Sequence, residues 1–214
     1  MRYAVVVFDL DGTLIEREPS WVTLHRYFGA RDRDVDANMD AFMAGEIDYA
    51  EWMELDIALW KPHAPSVDHV YEAFKDVVAE PKTRDAVMRL KAAGAKVYIV
   101  SSGIDVLACA IGRQLGADGV YANELNADDD GMLTGTGTCR VDPQRKHEAV
   151  CEIAQKEGVP LSSVACVGDT KYDISMFEGV GGKYALNPKH QELIDAADAS
   201  FDDIELLVDH MLIP

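Results

Sequence analysis

The stretch VVVFDLDGTL, residues 5–14, decides the fold that we expect for this chain. Four β-branched and aromatic residues lead directly into Asp9 and Asp11, which one leucine separates and a Gly-Thr pair follows. Residues i and i+2 of an extended segment project to the same side, roughly 6.5 Å apart along the chain. Two carboxylates placed in this way repel each other unless a cation lies between them or one of them holds a proton. Taken alone, the pattern fits either a charged site or ordinary aspartates of a turn and a helix cap.

Other short apolar runs have the composition of strands that are buried on both faces. They are rich in Val and Ile and lack the alternation of apolar and polar residues that a half-exposed strand shows. Helical patterns separate the later runs and stop at Gly94, Gly116 and Gly158. This order predicts an α/β fold with a doubly wound, mostly parallel, Rossmann-like sheet. The predicted strands are Val5–Phe8, Val97–Val100, Val164–Val167 and Lys183–Leu186, and the helical patterns begin at Pro81 or span Ile104–Leu115 and Pro143–Glu157.

Two segments depart from this alternation. The first lies between the first and second predicted strands, and its helical patterns include all three tryptophans, Trp21, Trp52 and Trp60. We expect a small inserted α-helical cap domain with its own core, in which the tryptophans either pack or form an apolar wall over a site. The second, residues 120–137, has a turn signal at Asp130-Gly131 and predicts a β-hairpin. The expected domains are therefore a core domain of residues 1–15 and 79–214, and a cap domain of residues 16–78.

The composition indicates which cellular location and which binding partners to expect. The formal net charge is −18, which disfavours binding to nucleic acid and to anionic membranes. No apolar stretch of the sequence is long enough to cross a bilayer, and none of the four cysteines forms a C-x-x-C pair. We expect a cytoplasmic protein with free thiols and a small-molecule substrate, with no prediction of oligomeric state. An anionic substrate needs a locally positive site on so acidic a protein.

Polar residues follow each of the later predicted strands. Ser101, Ser102 and Gly103 come after the second strand, and Asp169 and Asp173 follow the third. Ligands of open parallel sheets bind in the crevice beyond the carboxyl ends of the strands. Several carboxylates that converge there are costly without a balancing cation, and oxygen ligands favour Mg²⁺. Together with Lys146 in the following helical pattern, such a cation supplies the local positive field.

These residues resemble the four ordered motifs of a known family. FDLDGT at residues 8–13, VSSG at 100–103, Lys146, and GDTKYD at 168–173 are similar to the motifs of the haloacid dehalogenase superfamily. The insert resembles the C1-type cap of that superfamily, and the order and spacing of the motifs most resemble its phosphoserine phosphatase-like branch. The resemblance implies a Mg²⁺-dependent phosphomonoester hydrolase that acts through an aspartyl-phosphate intermediate on a small phosphorylated metabolite.

The resemblance also implies a role for each motif residue. Asp9 is expected to be the nucleophile, and Asp11 the acid that protonates the leaving alkoxide and the base that activates water. Magnesium is expected to bind to Asp9, the backbone carbonyl of Asp11, and Asp169, with Asp173 as a further ligand or in the outer shell. Phosphoryl oxygens are expected to bind to the Ser101 hydroxyl, the Ser102 amide and Lys146, where Arg145 is the alternative to Lys146. Thr13 is expected to contact the phosphate or orient the loop, and Glu18 to lie near a substrate amine.

The chain also departs from the pattern of phosphoserine phosphatases. The helix that would carry a cap arginine reads DYAEWMELDIALW at residues 48–60 and has no Arg or Lys before Lys61, so a bidentate carboxylate clamp is missing there. Lys171 and Tyr172 replace the residues often found inside the fourth motif.

The alternatives are a phosphatase for a substrate other than phosphoserine, or a phosphotransferase that uses an alcohol acceptor. A receiver domain and a non-catalytic module of the same fold fit the motifs less well. His25 and His147 are expected to be solvated side chains.

Overall fold

A seven-stranded sheet forms the centre of the computed structural model, which describes residues 2–213. The strands are β1 Val5–Phe8, β2 Lys96–Ile104, β3 Gly119–Ala127, β4 Leu133–Thr138, β5 Val164–Gly168, β6 Gly182–Leu186 and β7 Ala199–Phe201. Their order across the sheet is β4-β3-β2-β1-β5-β6-β7. Every pair is parallel except β3 with β4. The predicted α/β fold with a mostly parallel sheet is confirmed.

Helices cover both faces of this sheet. In the described residues they are α1 Ser20–Tyr27, α2 Asp32–Met43, α3 Tyr49–Ala58, α4 Val67–Phe74, α5 Pro81–Ala92, α6 Asp105–Leu115, α7 His147–Glu157, α8 Gln191–Ala196 and α9 Ile204–Leu212. The side chains of β1 alternate between two apolar clusters: Val6 and Phe8 pack with residues of α5, α6 and α9, and Val5 and Val7 pack with residues of α7 and α8. Because both faces are covered, all four residues are buried, and this is why the sequence shows no alternation. None of the helices in this range is long and apolar enough to cross a membrane.

The segment between β1 and α5 is helical, as expected. It holds α1 to α4 and, from residue 20 to 74, no strand. Several of its buried side chains, including Leu24, Ile57 and Trp60, belong to the same apolar cluster as Phe8, whereas the buried Phe42 and Tyr49 do not. Short helices with one apolar face each use the body of the protein to bury it, and the expectation that this segment has its own core stays a prediction. The division into a core and a cap domain stays a prediction.

Besides shifts of a few residues at the strand ends, three features of the fold differ from the sequence prediction. The hairpin forms between β3 and β4, but β3 also pairs in parallel with β2 and so extends the main sheet. The helix α7 begins at His147 instead of Pro143, because a turn comes first, in which the Arg145 N–H donates to the Asp142 carbonyl. The third difference is β7, a strand of three residues that the sequence pattern did not predict.

Candidate active site

Three neighbouring strands deliver the motif residues to one edge of the sheet. Asp9 follows β1 and Asp169 follows β5, and the Asp9 N–H donates to the Val167 carbonyl at 2.9 Å. Ser101 and Ser102 lie in β2 where its pairing with β3 shifts register between Val100 and Ile104. Such irregularities re-aim side chains near active sites. The structure thus brings together the predicted residues Asp9, Asp11, Ser101, Ser102, Lys146 and Asp169, all of which line one cavity.

Two glycines allow this close packing. Gly12 has φ +92°, a conformation that favours glycine, and a Cβ there would lie 2.1 Å from Oδ2 of Asp169. A Cβ on Gly103 would lie 2.3 Å from the Ser20 hydroxyl oxygen and 2.9 Å from Oδ2 of Asp11. The glycines of the DLDGT and SSG motifs are therefore required by the close approach of the carboxylates to the backbone.

Three carboxylates form a buried cluster that has the donor set of a metal site. One oxygen each of Asp9, Asp169 and Asp173 lies within 4.8 Å of the others, and all three residues are buried. Burial raises the pKa of Asp9 well above its usual value, although Lys146 opposes the shift, and burial also raises the pKa of Asp169. Oxygen donors without nitrogen or sulfur suit a hard divalent cation. These residues fit a metal ion that relieves the cost of burying the charges.

Lys146 provides the positive charge of the site. Its Nζ atom lies 2.6 Å from Oδ1 of Asp9 and 2.6 Å from Oδ1 of Asp173, and the side chain is 2% exposed. Burial alone would lower the pKa of Lys146, but Asp173 and Asp9 outweigh it and hold that pKa above its usual value. Lys146 therefore stays protonated at neutral pH. Arg145, the alternative, is exposed and pairs with Glu148, so the structure does not bring it to the site.

Asp173 is held by the protein through both oxygens. Oδ2 accepts hydrogen bonds from the backbone N–H groups of Asp169, at 3.1 Å, and Thr170, at 2.9 Å, and from the Thr170 hydroxyl at 3.0 Å. Oδ1 contacts Lys146. With its oxygens used in this way, Asp173 orients Asp169 and Lys146, which favours the outer-shell alternative over direct metal binding.

Asp11 is not a member of the acid cluster. Its Oδ2 accepts a hydrogen bond from the Ser20 N–H at 3.0 Å, at the first residue of α1. Oδ1 is buried without a hydrogen-bond partner among residues 2–213. Burial raises the pKa of Asp11, and the Ser20 N–H only partly offsets this shift. A carboxyl group with a raised pKa is suited to donate a proton to a leaving group.

The serines of β2 have different surroundings. Ser101 is buried, and its hydroxyl oxygen accepts a hydrogen bond from the Gly103 N–H at 3.0 Å. The Ser102 carbonyl accepts from Trp21 Nε1 at 3.0 Å, the Tyr49 hydroxyl at 2.8 Å and Asn123 Nδ2 at 2.9 Å. Two of these three donors come from α1 and α3, so the inserted helices are hydrogen-bonded to the phosphate-binding motif that we predicted.

Three predicted site residues, Thr13, Glu18 and Asp173, are not among those that line the cavity. The Thr13 hydroxyl donates to Oδ1 of Asp169 at 3.2 Å, which favours its orienting role over phosphate contact. Glu18 is not among the lining residues, and its carboxylate pairs with Arg26 at 2.6 Å and accepts from Thr23. The structure does not bring Glu18 to the site, because the adjacent turn of α1 offers its carboxylate a cation on the outer surface.

Sequence reasoning missed Lys189. Its Nζ atom lies 2.7 Å from Oδ2 of Asp169, while half of the side chain is exposed. Lys189 follows β6, and its backbone N–H donates to the Asp169 carbonyl at 2.7 Å. Its position just after the carboxyl end of a parallel strand was the one signal that pointed to it. Lys189 offsets the charge of Asp169 from the side opposite Thr13.

The cavity above these residues has a volume of about 320 Å³ and two unlike ends. The polar end consists of the motif residues at the sheet edge. The other end is built by α1, α2 and α3 and is mainly apolar and aromatic. Trp21 and Trp52 line it, whereas Trp60 is fully buried in the core, so the tryptophans divide between the two predicted roles. The apolar end is lined by Trp21, Val22, Val35, Met39, Phe42, Tyr49, Trp52 and Met53.

A buried polar network lies behind the apolar end. His25 Nε2 and Oδ2 of Asp56 are 3.1 Å apart, and Trp60 Nε1 donates to His25 Nδ1 at 3.1 Å. Asn38 donates to the other oxygen of Asp56 at 2.9 Å. The prediction that His25 is solvated is wrong, because this residue is only 7% exposed. Its ring is partnered by Asp56 of α3 and by Trp60 after α3, and Asn38 of α2 in turn binds Asp56.

Comparisons with known proteins agree with this geometry. The sequence model of the family described as haloacid dehalogenase-like hydrolase matches residues 6–178. The chain belongs to this family. It is 34% identical over 95% of its length to a phosphoserine phosphatase of Archaeoglobus fulgidus, and 30% identical over 86% of its length to one of Methanocaldococcus jannaschii. It covers 58% of the first of these relatives and 86% of the second.

A solved structure supports the same assignment of fold and branch. A phospho-aspartyl intermediate analogue of phosphoserine phosphatase superposes with a TM-score of 0.79 at 27% identity, and the match covers the whole of both chains. The chain spans about half the length of several curated relatives that it matches at 33 to 34% identity. The resemblance to the phosphoserine phosphatase-like branch is confirmed.

Proposed function

We propose that this chain is a Mg²⁺-dependent phosphomonoester hydrolase that acts through an aspartyl-phosphate intermediate. The observation that carries the proposal is the buried group of Asp9, Asp169 and Asp173 around Lys146 at the carboxyl ends of β1 and β5. Membership of the haloacid dehalogenase-like hydrolases and similarity to proteins named phosphoserine phosphatase support it.

Asp9 is the proposed nucleophile. Its carboxylate lies at the polar end of the cavity, and the ion pair of Oδ1 with Lys146 fixes its orientation. Attack of an Asp9 oxygen on phosphorus forms the O–P bond of the aspartyl-phosphate and breaks the bond to the leaving oxygen. Lys146 then lies close to the phosphoryl oxygens, where negative charge concentrates during transfer.

Asp11 is the proposed general acid and base. Its raised pKa keeps a fraction of the carboxyl groups protonated, so the proton passes to the leaving alkoxide as the bond to phosphorus breaks. The resulting carboxylate then accepts a proton from the water that attacks the aspartyl-phosphate. The Ser20 N–H holds Asp11 in place through both steps.

Magnesium is the proposed metal. Asp9, the backbone carbonyl of Asp11, and Asp169 would hold it, with Asp173 in the outer shell, and Thr13 and Lys189 orient Asp169. When bound, the ion neutralises charge on the phosphoryl oxygens. The Ser101 hydroxyl and the Ser102 amide are the proposed remaining phosphate ligands, since both residues line the cavity beside Asp9.

The substrate belongs to the same proposal. Relatives named phosphoserine phosphatase indicate a small phosphomonoester. Neither Glu18 nor an arginine lies among the described residues of the cavity lining, so phosphoserine is not the only candidate. The helices α1 to α4 are proposed to act as a cap over the site, and the cytoplasmic location expected from the sequence remains part of this proposal.

Phosphate release from a panel of small phosphomonoesters tests the function. We expect release that depends on Mg²⁺, that EDTA abolishes, and that Asp9→Asn reduces to background. Added alcohol distinguishes the phosphotransferase alternative, because transfer would yield a new phosphate ester at the expense of free phosphate. The absence of Mg²⁺-dependent cleavage of any ester by the folded protein would contradict the proposal.

A further inference from the structure

The two ends of the cavity assign the two parts of a phosphomonoester. The phosphoryl group belongs at the polar end, beside Asp9 and Lys146, if the function proposed above holds. The alcohol part of the substrate then extends toward α1, α2 and α3. This end is lined by Trp21, Val35, Met39, Phe42, Trp52 and Met53, side chains that offer mainly carbon surface.

A negatively charged alcohol part would find no positive charge there, although the Trp52 Nε1–H lines the cavity and has no acceptor among residues 2–213. Among residues 2–213 that line the cavity, Lys146 is the only Lys or Arg, and it is engaged by Asp9 and Asp173. The arginines of α1 and α2 are directed to solvent: Arg26 pairs with Glu18 and is 71% exposed, and Arg33 is 81% exposed. A carboxylate that entered this end would lose its hydration without gaining a counter-charge.

A positively charged alcohol part is disfavoured for a different reason. Asp56 is the acidic residue at the apolar end, and it is 4% exposed. Oδ2 of Asp56 pairs with His25 and Oδ1 accepts from Asn38, so both oxygens are already used within the protein. The aromatic rings also pack on one another, with Phe42 and Trp52 stacked at 4.7 Å between centroids. The surface offered to a ligand is therefore apolar rather than anionic.

We infer that the alcohol part of the substrate is uncharged and apolar, either a branched alkyl or an aromatic group, and that phosphoserine is a poor substrate. This inference rests on the proposed phosphatase function and names the substrate class of the same site. The apolar end selects by burying carbon surface, and it disfavours charged groups because it gives them no free counter-charge.

A set of three esters isolates the charge of the alcohol part. The first, 3,3-dimethylbutyl phosphate, is called the neutral ester here because its alcohol part is uncharged. It has nearly the shape of phosphocholine, whose alcohol part carries a positive charge. Phosphoserine carries both a carboxylate and an ammonium group. We expect kcat/KM for the neutral ester to exceed that for phosphoserine and that for phosphocholine by about tenfold or more, the scale on which a pocket discriminates mismatched groups. The matching alkyl phosphonate should inhibit more tightly than the phosphonate analogue of phosphoserine, and this comparison does not depend on the leaving group.

A substitution that adds a positive charge at the apolar end of the cavity tests the inference from the side of the protein. Met39 lines the apolar end and is 42% exposed, so a long polar side chain is tolerated at this position. Met39→Arg should raise the ratio of phosphoserine to 3,3-dimethylbutyl phosphate turnover by about fivefold or more relative to Met39→Gln, which removes the thioether without adding charge.

The outcomes separate the inference from the function on which it rests. Phosphoserine or phosphocholine turnover equal to or better than that of the neutral ester would overturn the inference while leaving the phosphatase function intact. Failure of every ester, including the activated p-nitrophenyl phosphate, would overturn the proposed function and this inference with it. Preference for the neutral ester, lost selectively in Met39→Arg, is the result that we expect.

Discussion

Lys146 Nζ lies 2.6 Å from an oxygen of Asp9 and 2.6 Å from an oxygen of Asp173, so one buried ammonium group pairs with two buried carboxylates. Asp9 follows β1, Lys146 precedes the first residue of α7, and Asp173 lies in the 3₁₀ helix Lys171–Phe177 after β5. The ion pairs therefore connect three parts of the chain, and they orient the proposed nucleophile toward the cavity. We therefore expect this arrangement to contribute both to stability and to the proposed catalysis.

Removal of the ammonium group should damage both properties. Lys146→Met leaves two buried carboxylates without their counter-ion, and breaking such a pair costs about 3–5 kcal/mol. We expect urea denaturation in metal-free buffer at pH 7 to show a loss of this size, and activity to fall by about 100-fold or more because phosphoryl charge loses a partner. Added Mg²⁺ should restore part of the stability but not the activity.

Arg145→Met is the matched control, since Arg145 is the neighbouring residue and is 63% exposed in its pair with Glu148. It should change stability by less than about 1 kcal/mol, as is usual for exposed ion pairs. Equal effects of the two substitutions would show that Lys146 has no special role at the site.

Metal binding should be measurable without turnover. A ligand that binds only the folded state at 100 times its Kd stabilises it by about 2.7 kcal/mol. We expect Mg²⁺ to raise the free energy of unfolding of the unmodified chain and to have little effect on Asp169→Asn. Asp105→Asn, a change at the first residue of α6, should keep the full response to Mg²⁺. An unchanged response in Asp169→Asn would place the metal elsewhere.

The role of Asp11 predicts a dependence on the leaving group. Asp11→Asn retains an oxygen that accepts the Ser20 N–H, but it donates no acidic proton. Turnover of an alkyl phosphate should fall about 10²–10⁴-fold, the usual contribution of general acid catalysis. p-Nitrophenolate leaves without protonation, so rapid mixing should reveal a burst of p-nitrophenol followed by slow hydrolysis of the aspartyl-phosphate. If Asp11→Asn shows neither this burst nor a selective loss of alkyl phosphate turnover, Asp11 is not the acid.

The pH profile of the unmodified chain tests the same group. The first step requires protonated Asp11, and burial raises the pKa of this residue. The rate of alkyl ester cleavage under conditions where that step is limiting should therefore fall as pH rises through the raised pKa. This fall with rising pH should be absent from the burst rate with p-nitrophenyl phosphate. The test is therefore to compare the pH profiles of the two substrates.

Hydrogen bonds to the Ser102 carbonyl should hold the inserted helices on the sheet edge. Tyr49→Phe removes the donor at 2.8 Å and should cost about 1 kcal/mol, the typical net contribution of one hydrogen bond. Limited proteolysis within residues 16–78 should become faster in this variant and slower when Mg²⁺ and inorganic phosphate are added. Tyr27→Phe, at a tyrosine that is 43% exposed, should behave as the unmodified chain. Identical cleavage under all conditions would argue against closure of these helices over the site.

The sequence was sufficient to predict the parts of the site that follow buried strands. Asp9, Ser101 and Asp169 were found because apolar runs mark the strands, and parallel strands present their carboxyl ends at one edge. The helical character of the insert was also visible from its spacing. These features depend on local periodicity, which sequence reasoning reads directly.

Pairings between distant elements were not predictable in this way. Lys189 reaches Asp169 across 20 residues of chain, and His25 reaches Asp56 across 31. Each pairing depends on how a helix or loop packs on its neighbours, and no local pattern encodes that packing. Glu18 is a further case, because its carboxylate pairs with Arg26 of α1 and it is not among the residues that line the cavity.

Asp118 provides a test of stability away from the site. Its carboxylate lies 2.5 Å from Lys91 Nζ and 3.2 Å from Lys96 Nζ, and it accepts the Val97 N–H at 2.9 Å. Burial alone would raise the pKa of Asp118, but these three donors outweigh it and lower the pKa below its usual value. Because the folded pKa is lower than the unfolded one, the contribution of Asp118 is fully present above the unfolded pKa and is lost as pH falls through the folded pKa.

Asp118→Asn should therefore destabilise the protein at pH 7 by about 1.5–3 kcal/mol, the range for hydrogen bonds to charged groups. The difference from the unmodified chain should shrink as pH falls below the unfolded value of about 3.9, since the ionised form no longer contributes there. Urea denaturation at a series of pH values measures this directly. Asp129→Asn, a change at an exposed residue in the turn before β4, should give a curve parallel to that of the unmodified chain. A constant difference between Asp118→Asn and the unmodified chain down to pH 2 would mean that the carboxylate contributes through packing and not through its charge.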